Sequence, residues 1–471
     1  MWHRLYEPIL LGCAKGSIIA AVFLLLSQTA AALGPHEILL LVNTNSQRSI
    51  RVAAEFARLR SVPALNVVAV ALPDHSAVPA NSMSPSAFAR CIWEPANRAL
   101  RERGIERQVL AWVYSVDFPT RIGTEPAMSI TGLTFTRNRV PASDTIKAGL
   151  LRSPLFGGPD KPTGRAFPSQ TLDTYRAWLA SDMPLPAMML GYAGQRGNTV
   201  EEILDGLRRS AAADSTAPSG TVFFVTGEDI RARKRMWQFE MAVQALAGLR
   251  VNAAIVPEPP RGFPAILGVM IGSPTVDPST MGRFVPGALA DHLTSFAADF
   301  ECDIQTKLGV WLTAGAAASS GAVTEPYALW WKFPAAHLYV HYAAGCTVLE
   351  SFYQSVRCPL QLLPLGDPLC APWKPAASAR IEGLPDGPVS GILRVSARPA
   401  GRWPRQPARC LFLLDGRPIF DSADSPAPAT PPFPAEWNTA GWPVGSHRLR
   451  AVLIASGSLR QQAFAEAEIR R

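Results

Sequence analysis

The stretch Ile38-Leu-Leu-Leu-Val42-Asn-Thr-Asn-Ser46, carried on through Val52, Phe56 and Leu59 to Val67-Val-Ala-Val-Ala-Leu72, decides the fold class. Its first five residues are unbroken aliphatics, the pattern of a strand covered on both faces. Asn43, Asn45 and Ser46 then offer side-chain caps, and the apolar residues after them recur at helical spacing. Val67 to Leu72 returns to strand. This is a β-α-β unit, and it implies a parallel sheet with a right-handed crossover.

The alternation continues outward. A helix is expected from Ser86 to Arg103 and a strand from Gln108 to Val116, ending in the loop Asp117-Phe-Pro-Thr-Arg121. Residues 120–185 are rich in Pro, Gly and Ser with weak periodicity, and read as a long surface excursion. Strands resume at Met188 to Leu190, Thr221 to Thr226, Val251 to Val256, Ile266 to Ile271, Pro286 to Leu293 and Ala316 to Val323. Helices fall between them: one opened by the capping box Thr199-Val-Glu-Glu202, one capped by Asp229, one over Ile304 to Leu312 and one from His337 to Val356. Residues 33–375 therefore read as an α/β domain of three layers around a mainly parallel sheet.

Beyond Pro375 the helical period disappears. Ile392 to Ala397, Cys410 to Leu414, His447 to Ile454 and Ala463 to Ile469 are short alternating strands, and Asp415-Gly416 is a hairpin signal. Residues 380–471 read as an all-β antiparallel sandwich of immunoglobulin-like type.

The chain has 471 residues, 48% hydrophobic and 17% charged, which excludes wholesale disorder. Its 43 prolines and 35 glycines follow no fixed period, which excludes collagen-like order. Net charge is +8, yet no basic run is dense enough for a nucleic-acid stripe, so no nucleic-acid partner is expected. Residues 1–32 have the parts of a secretory signal: Arg4 and Lys15, an apolar run from Ile18 to Leu26, then Ala30-Ala31-Ala32. That run is shorter than the roughly 20 residues of a spanning helix, so no permanent membrane span is expected. Export to the periplasm, cell surface or medium follows, with the mature chain beginning near Leu33. Cleavage leaves Cys91, Cys302, Cys346, Cys358, Cys370 and Cys410, an even number that permits disulfides. Cys346, Cys358 and Cys370 are the first candidates, and buried free thiols are the alternative.

Motifs for common chemistries are absent: no P-loop, no GxSxG elbow, no HExxH. His337 and His341 share a helical face, but Leu338 stands where a zinc peptidase needs its base, so packing is the expected role and no metal or cofactor is expected. Gly191, Gly194 and Gly197 lie between a strand and a helix, as a tight turn or an anion cradle. The candidate catalytic residues are Asp291, His292, Thr294 and Ser295, at the carboxyl end of a strand, with Glu325 after the next strand. A carboxylate, an imidazole and hydroxyls at that edge suit acid–base or nucleophilic work. The competing reading is a hydrogen-bonded loop lock with His292 bridging two strand ends.

The strings Leu40-Leu-Val-Asn-Thr-Asn45, Asp229-Ile-Arg231, Pro286-Gly-Ala-Leu-Ala-Asp-His-Leu-Thr-Ser-Phe296, Trp311-Leu-Thr-Ala-Gly-Ala316, Gly321-Ala-Val-Thr-Glu-Pro326 and Gly366-Asp-Pro-Leu369 resemble a family of exported bacterial proteins that carries no assigned activity. A more distant similarity is to the gingipain-type, caspase-like cysteine peptidases, through Gly315-Ala316, Gly366-Asp367-Pro368 and the C-terminal strands. That resemblance implies a caspase-like domain followed by an immunoglobulin-like one. It also implies a departure: Gly272-Ser273-Pro274 stands where the peptidase histidine falls, and no cysteine stands near Asp291 to Ser295. The expected function is a caspase-like scaffold that binds an extracellular protein or polymer. A hydrolase using the Asp291 to Ser295 edge and an anion- or glycan-binding protein are the alternatives.

Overall fold

The computed structural model describes residues 32–73, 81–424 and 430–471. The signal assigned to residues 1–32 lies outside the described residues up to residue 31.

Ten strands form one sheet: β1 (Ile38–Asn43), β2 (Val67–Val70), β3 (Ala111–Tyr114), β4 (Ala187–Met189), β5 (Thr221–Val225), β6 (Asn252–Val256), β7 (Phe263–Gly272), β8 (Gly282–Leu293), β9 (Ala318–Ala322) and β10 (Leu362–Gly366). Their order is β2-β1-β3-β4-β10-β9-β8-β7-β5-β6. Every neighbouring pair is parallel except β9 and β10. Two five-stranded parallel halves thus meet back to back and run in opposite directions. In chain order each half winds first to one side of its opening strand and then to the other. The two sets of strand carboxyl ends lie on opposite edges of the sheet.

Both faces of the first half are covered. Ile38, Leu40 and Val42 pack with Val52 and Phe56 of the helix Gln47–Arg60. Leu39 and Leu41 pack on the other side with Phe88, Ile92 and Leu100. That division is the period of two of a strand buried on both faces, and it explains the aliphatic run.

The C-terminal region is antiparallel. Ala377–Glu382, Ile392–Gly401 and Phe433–Asn438 form one sheet; Arg417–Asp421, Pro407–Leu414, Ser446–Ala455 and Gln462–Arg470 form another. Ile381, Val395 and Phe433 of the first share a core with Phe412, Leu453 and Ile469 of the second.

Several elements depart from the local pattern. Residues 120–185 are not a surface excursion: Ile130, Leu133, Phe135, Leu155 and Tyr175 are buried, and the segment carries three α-helices. The span His337 to Val356 is two helices, His337–Ala343 and Val348–Ser355. Gly345 separates them at φ +103°, and the Thr347–Glu350 capping box restarts the second. The helix expected over Ile304 to Leu312 shrinks to Gly309–Thr313, because Gln305 sits in the left-handed region at φ +65°. The six cysteines among the described residues are free; Cys346, Cys358, Cys370 and Cys410 are buried. Cys346 donates to Gln170 O and Cys370 to Ser210 O, so the two point to different partners rather than to each other.

Candidate functional site

β8 and β9 are parallel neighbours, so the loops carrying Thr294, Ser295 and Glu325 leave the sheet at one edge, as the crossover rule requires. β8 stays regular to Leu293, with Asp291 opposite Met270 and His292 opposite Ile271. Consecutive strand residues point to opposite faces, so Asp291 and His292 belong to separate environments.

Asp291 is 1% exposed and forms an ion pair with Arg235, equally buried. Ser320 of β9 donates to its other oxygen at 3.3 Å. Arg235 also donates to Ile271 O at 2.8 Å and to Pro334 O at 3.1 Å. One guanidinium therefore ties β7, β8 and the loop ahead of His337. Burial pushes the Asp291 carboxyl above its ordinary range, and the Arg235 charge pulls it back. The adjoining cavity, lined by Leu289, Asp291, Ser320 and Leu338, measures about 20 Å³, room for little more than one water.

His292 lies on the other face, its ring edge-on to Trp311 with centroids 5.9 Å apart. Its Nε2 is 2.6 Å from Ser273 O. A carbonyl only accepts, so Nε2 carries the proton and the buried Nδ1 has no partner. Burial lowers the ring's pKa to about 4, which keeps it neutral. The imidazole spans the ends of β7 and β8 and meets a carbonyl, not a nucleophile.

The hydroxyls are also engaged. Gln305 Oε1 accepts from Thr294 Oγ1 at 2.6 Å, from the Ser295 amide at 2.8 Å and from the Phe296 amide at 3.0 Å. Glu325 accepts from the Tyr327 amide at 2.7 Å, inside its own loop. Four of the five candidates thus share one strand end and the fifth shares the edge, but none bonds another: Asp291 holds Arg235, His292 the Ser273 carbonyl, Thr294 and Ser295 the Gln305 side chain, and Glu325 its own loop. Gln305, Arg235 and the Ser273 carbonyl, which do the bonding, were not marked by any sequence pattern.

The point where the second half reverses its winding, between β5 and β7, is filled. A methyl placed on Gly272 would lie 2.3 Å from the carbonyl carbon of Arg231 and 2.4 Å from the Ala232 nitrogen. The short helix Ile230–Arg233 after β5, capped by Asp229, therefore covers the end of β7, where an open α/β sheet would take a ligand.

The corresponding reversal in the first half, between β1 and β3, is more polar. Asp117 follows β3 in a left-handed conformation (φ +62°) and holds Arg48 through two bonds of 2.9 and 2.8 Å. Ser46 donates to the same carboxylate, and Asn43 Nδ2 to the Asp117 carbonyl at 3.0 Å. The Arg48 side chain is 55% exposed. Asn43-Thr-Asn-Ser46 and Asp117 stood at strand ends in the sequence, a signal that could have found this cluster.

Other motifs are structural. At the end of the Gly191 to Gly197 turn the amides of Gly197, Asn198 and Thr199 bond Gly194 O, Tyr192 O and Glu202. His337 and His341 are buried with ring centroids 6.4 Å apart, and His341 bonds Ser169. No group of three or more metal-ligating side chains is found among the described residues. Asp367 of Gly366-Asp-Pro368 pairs with Arg60, and Arg60 pairs with Asp214, which holds Lys374. The motif thus clamps the helix Gln47–Arg60 to the segment leading into the sandwich.

No family model matches the chain, and no curated protein does. Among solved structures it is similar to a lytic polysaccharide monooxygenase of Jonesia denitrificans, at 13% identity with a TM-score of 0.14. That likeness covers 18% of this chain and 57% of the other, too slight to bear on fold or function. No helix among the described residues is long and apolar enough to cross a membrane.

Proposed function

We propose that this protein is an exported scaffold, a caspase-like α/β domain without a working catalytic pair, carrying an immunoglobulin-like sandwich and binding an extracellular protein or polymer in the periplasm or at the cell surface. The observation that carries this reading is the closed edge of the second half-sheet. His292 is spent on the Ser273 carbonyl, Gln305 holds Thr294 and the next two amides, and the helix Ile230–Arg233 seals Gly272. A general base needs a nucleophile or water in hydrogen-bond reach of an accessible cleft. Here the free ring nitrogen is buried without a partner.

The test has two arms. The purified protein is assayed against a peptide and ester panel and against covalent probes for activated hydroxyls; neither turnover nor labelling is expected. Turnover that disappears in a folded His292→Ala variant would establish the hydrolase instead. In the second arm the exported protein is sedimented with isolated envelope fragments, and retention is expected. A protein that stays wholly in the supernatant has no binding role at that surface.

A further inference from the structure

The loop after β8 folds back on one lysine. Lys307 is 7% exposed, and its ammonium donates to Phe296 O at 2.9 Å, to Ile304 O at 2.8 Å and to Cys302 Sγ at 3.5 Å. An ammonium has three hydrogens, so the third is spent on sulfur. No carboxylate pairs with Lys307 among the described residues. The acids just ahead of Cys302 are drawn elsewhere: Asp299 and Glu301 both pair with Arg121. A buried cation is thus left with two carbonyls and a thiol for partners, where a carboxylate is the usual companion.

The sulfur is turned to receive the nitrogen. The Cys302 S–H is directed at Asp299 O, 3.7 Å away, which leaves its lone pairs to Nζ. Cys302 is half-buried, so a small solute reaches it, whereas Cys346, Cys358, Cys370 and Cys410 are buried. It forms no disulfide. A thiol oxidised to sulfenic acid becomes an electrophile at sulfur, and a nitrogen held against it can condense with it.

We propose that Cys302 and Lys307 are a modification site, joined by peroxide into an Sγ–Nζ sulfenamide. In the first step the thiol takes one oxygen from hydrogen peroxide and the other leaves as water; sulfur loses two electrons and the peroxide gains them. The Lys307 ammonium then gives a proton to solvent, and its nitrogen pair attacks sulfur. The S–N bond forms, the S–O bond breaks, and the hydroxyl departs with a second nitrogen hydrogen as water. The remaining nitrogen hydrogen stays in the link. The ring so closed contains Gln305, whose Oε1 accepts from Thr294, Ser295 and Phe296. Oxidation therefore straps the loop that seals the strand edge. The inference goes beyond the binding role and does not depend on it.

The experiment treats the purified protein with hydrogen peroxide, alkylates the remaining thiols and digests with an endoproteinase that cuts before aspartate. One cut falls between Cys302 and Asp303. The peptide ending at Cys302 is expected to stay joined to the one beginning at Asp303, lighter than their sum by two hydrogens, and to separate in a thiol reductant. In Lys307→Arg, which keeps a cation and donors for both carbonyls, the peptides should separate and dimedone should trap Cys302 as its sulfenic acid. Cys302→Ser, a small change at a half-buried position, should also give separate peptides. A wild-type Cys302 recovered after peroxide as alkylated thiol or as dimedone adduct overturns the link, and so does joining in either variant. Hydrogen exchange at the Ser295 and Phe296 amides should slow in the linked protein; equal rates in linked and reduced protein overturn the strap.

Discussion

Asp291 and Arg235 are each 1% exposed, so neither charge can be removed without stranding the other in a medium that solvates it poorly. Asp291→Asn is therefore expected to lower stability by about 3–5 kcal/mol. Asp291→Leu combined with Arg235→Met should recover most of that loss, because it removes both desolvation costs together. Chemical denaturation midpoints at unchanged m-value measure both. A single variant within about 0.5 kcal/mol of wild type would mean that the pair contributes as little as an exposed one. The same residues show why the candidate site was only half legible. Asp291, His292, Thr294 and Ser295 stand out in the sequence because polar residues at a strand end are conspicuous. Their partners do not: Arg235 lies 56 positions away and Ser273 acts through its backbone, which any residue could offer.

At the scale of the element, β7 and the helix Ile230–Arg233 touch through a glycine. Gly272→Ala places a methyl 2.3 Å from the backbone of Arg231, and backbone cannot yield as a flexible side chain can. An overpacking cost of about 1–3 kcal/mol is expected, read as a lower melting temperature. Hydrogen exchange should also quicken in residues 226–235 if that helix is displaced. Unchanged melting would mean that the helix moves freely and that the edge is not sealed. The helices Pro85–Phe88 and Glu94–Arg103, joined by a π-helical turn, match a single expected helix because their face is periodic. The break at Gly345 was less visible, since the flanking residues keep an apolar face through it.

For the whole molecule, the two domains are joined by charge. Asp173, in the segment 120–185, faces Arg176, Arg409 and Arg460, the last two from the sandwich, and their charges hold its carboxyl below the usual range. Asp173→Asn should loosen the seam: limited proteolysis near residue 376 is expected to release the sandwich faster, with little change in either core. Equal cleavage rates would remove Asp173 from the joint. Acid should act globally. His36 and His341 are held to about 3, and His292 and His337 to about 4, by burial. In the unfolded chain they protonate near pH 6.5, so below that pH the unfolded state binds more protons and stability falls, by up to about 1.4 kcal/mol per pH unit for each ring. Glu37, raised to about 7 chiefly by burial, works the other way: its contribution is full below about pH 4.5 and is lost as pH rises through 7. The melting temperature should therefore drop from pH 7 to pH 5, and more steeply in Glu37→Gln. A flat profile would show these histidines to be solvated.

The class of each region was set by sequence alone. Aliphatic runs separated by helical periods impose β-α-β crossovers, and loss of the helical period after Pro375 leaves an antiparallel sandwich, because both signals are local and repeat within a few residues. Direction and closure were decided only in the folded chain. β10 inserts between β9, the strand just before it in the chain, and β4, a strand of the other half far from it in sequence, and reverses one half of the sheet against the other. That choice depends on which edges remain unpaired after the crossovers, a property of the assembled sheet. The same assembly brings the Ser273 carbonyl, Gln305 and Arg235 onto the conspicuous residues, because burial pairs polar groups by proximity in space rather than by distance along the chain.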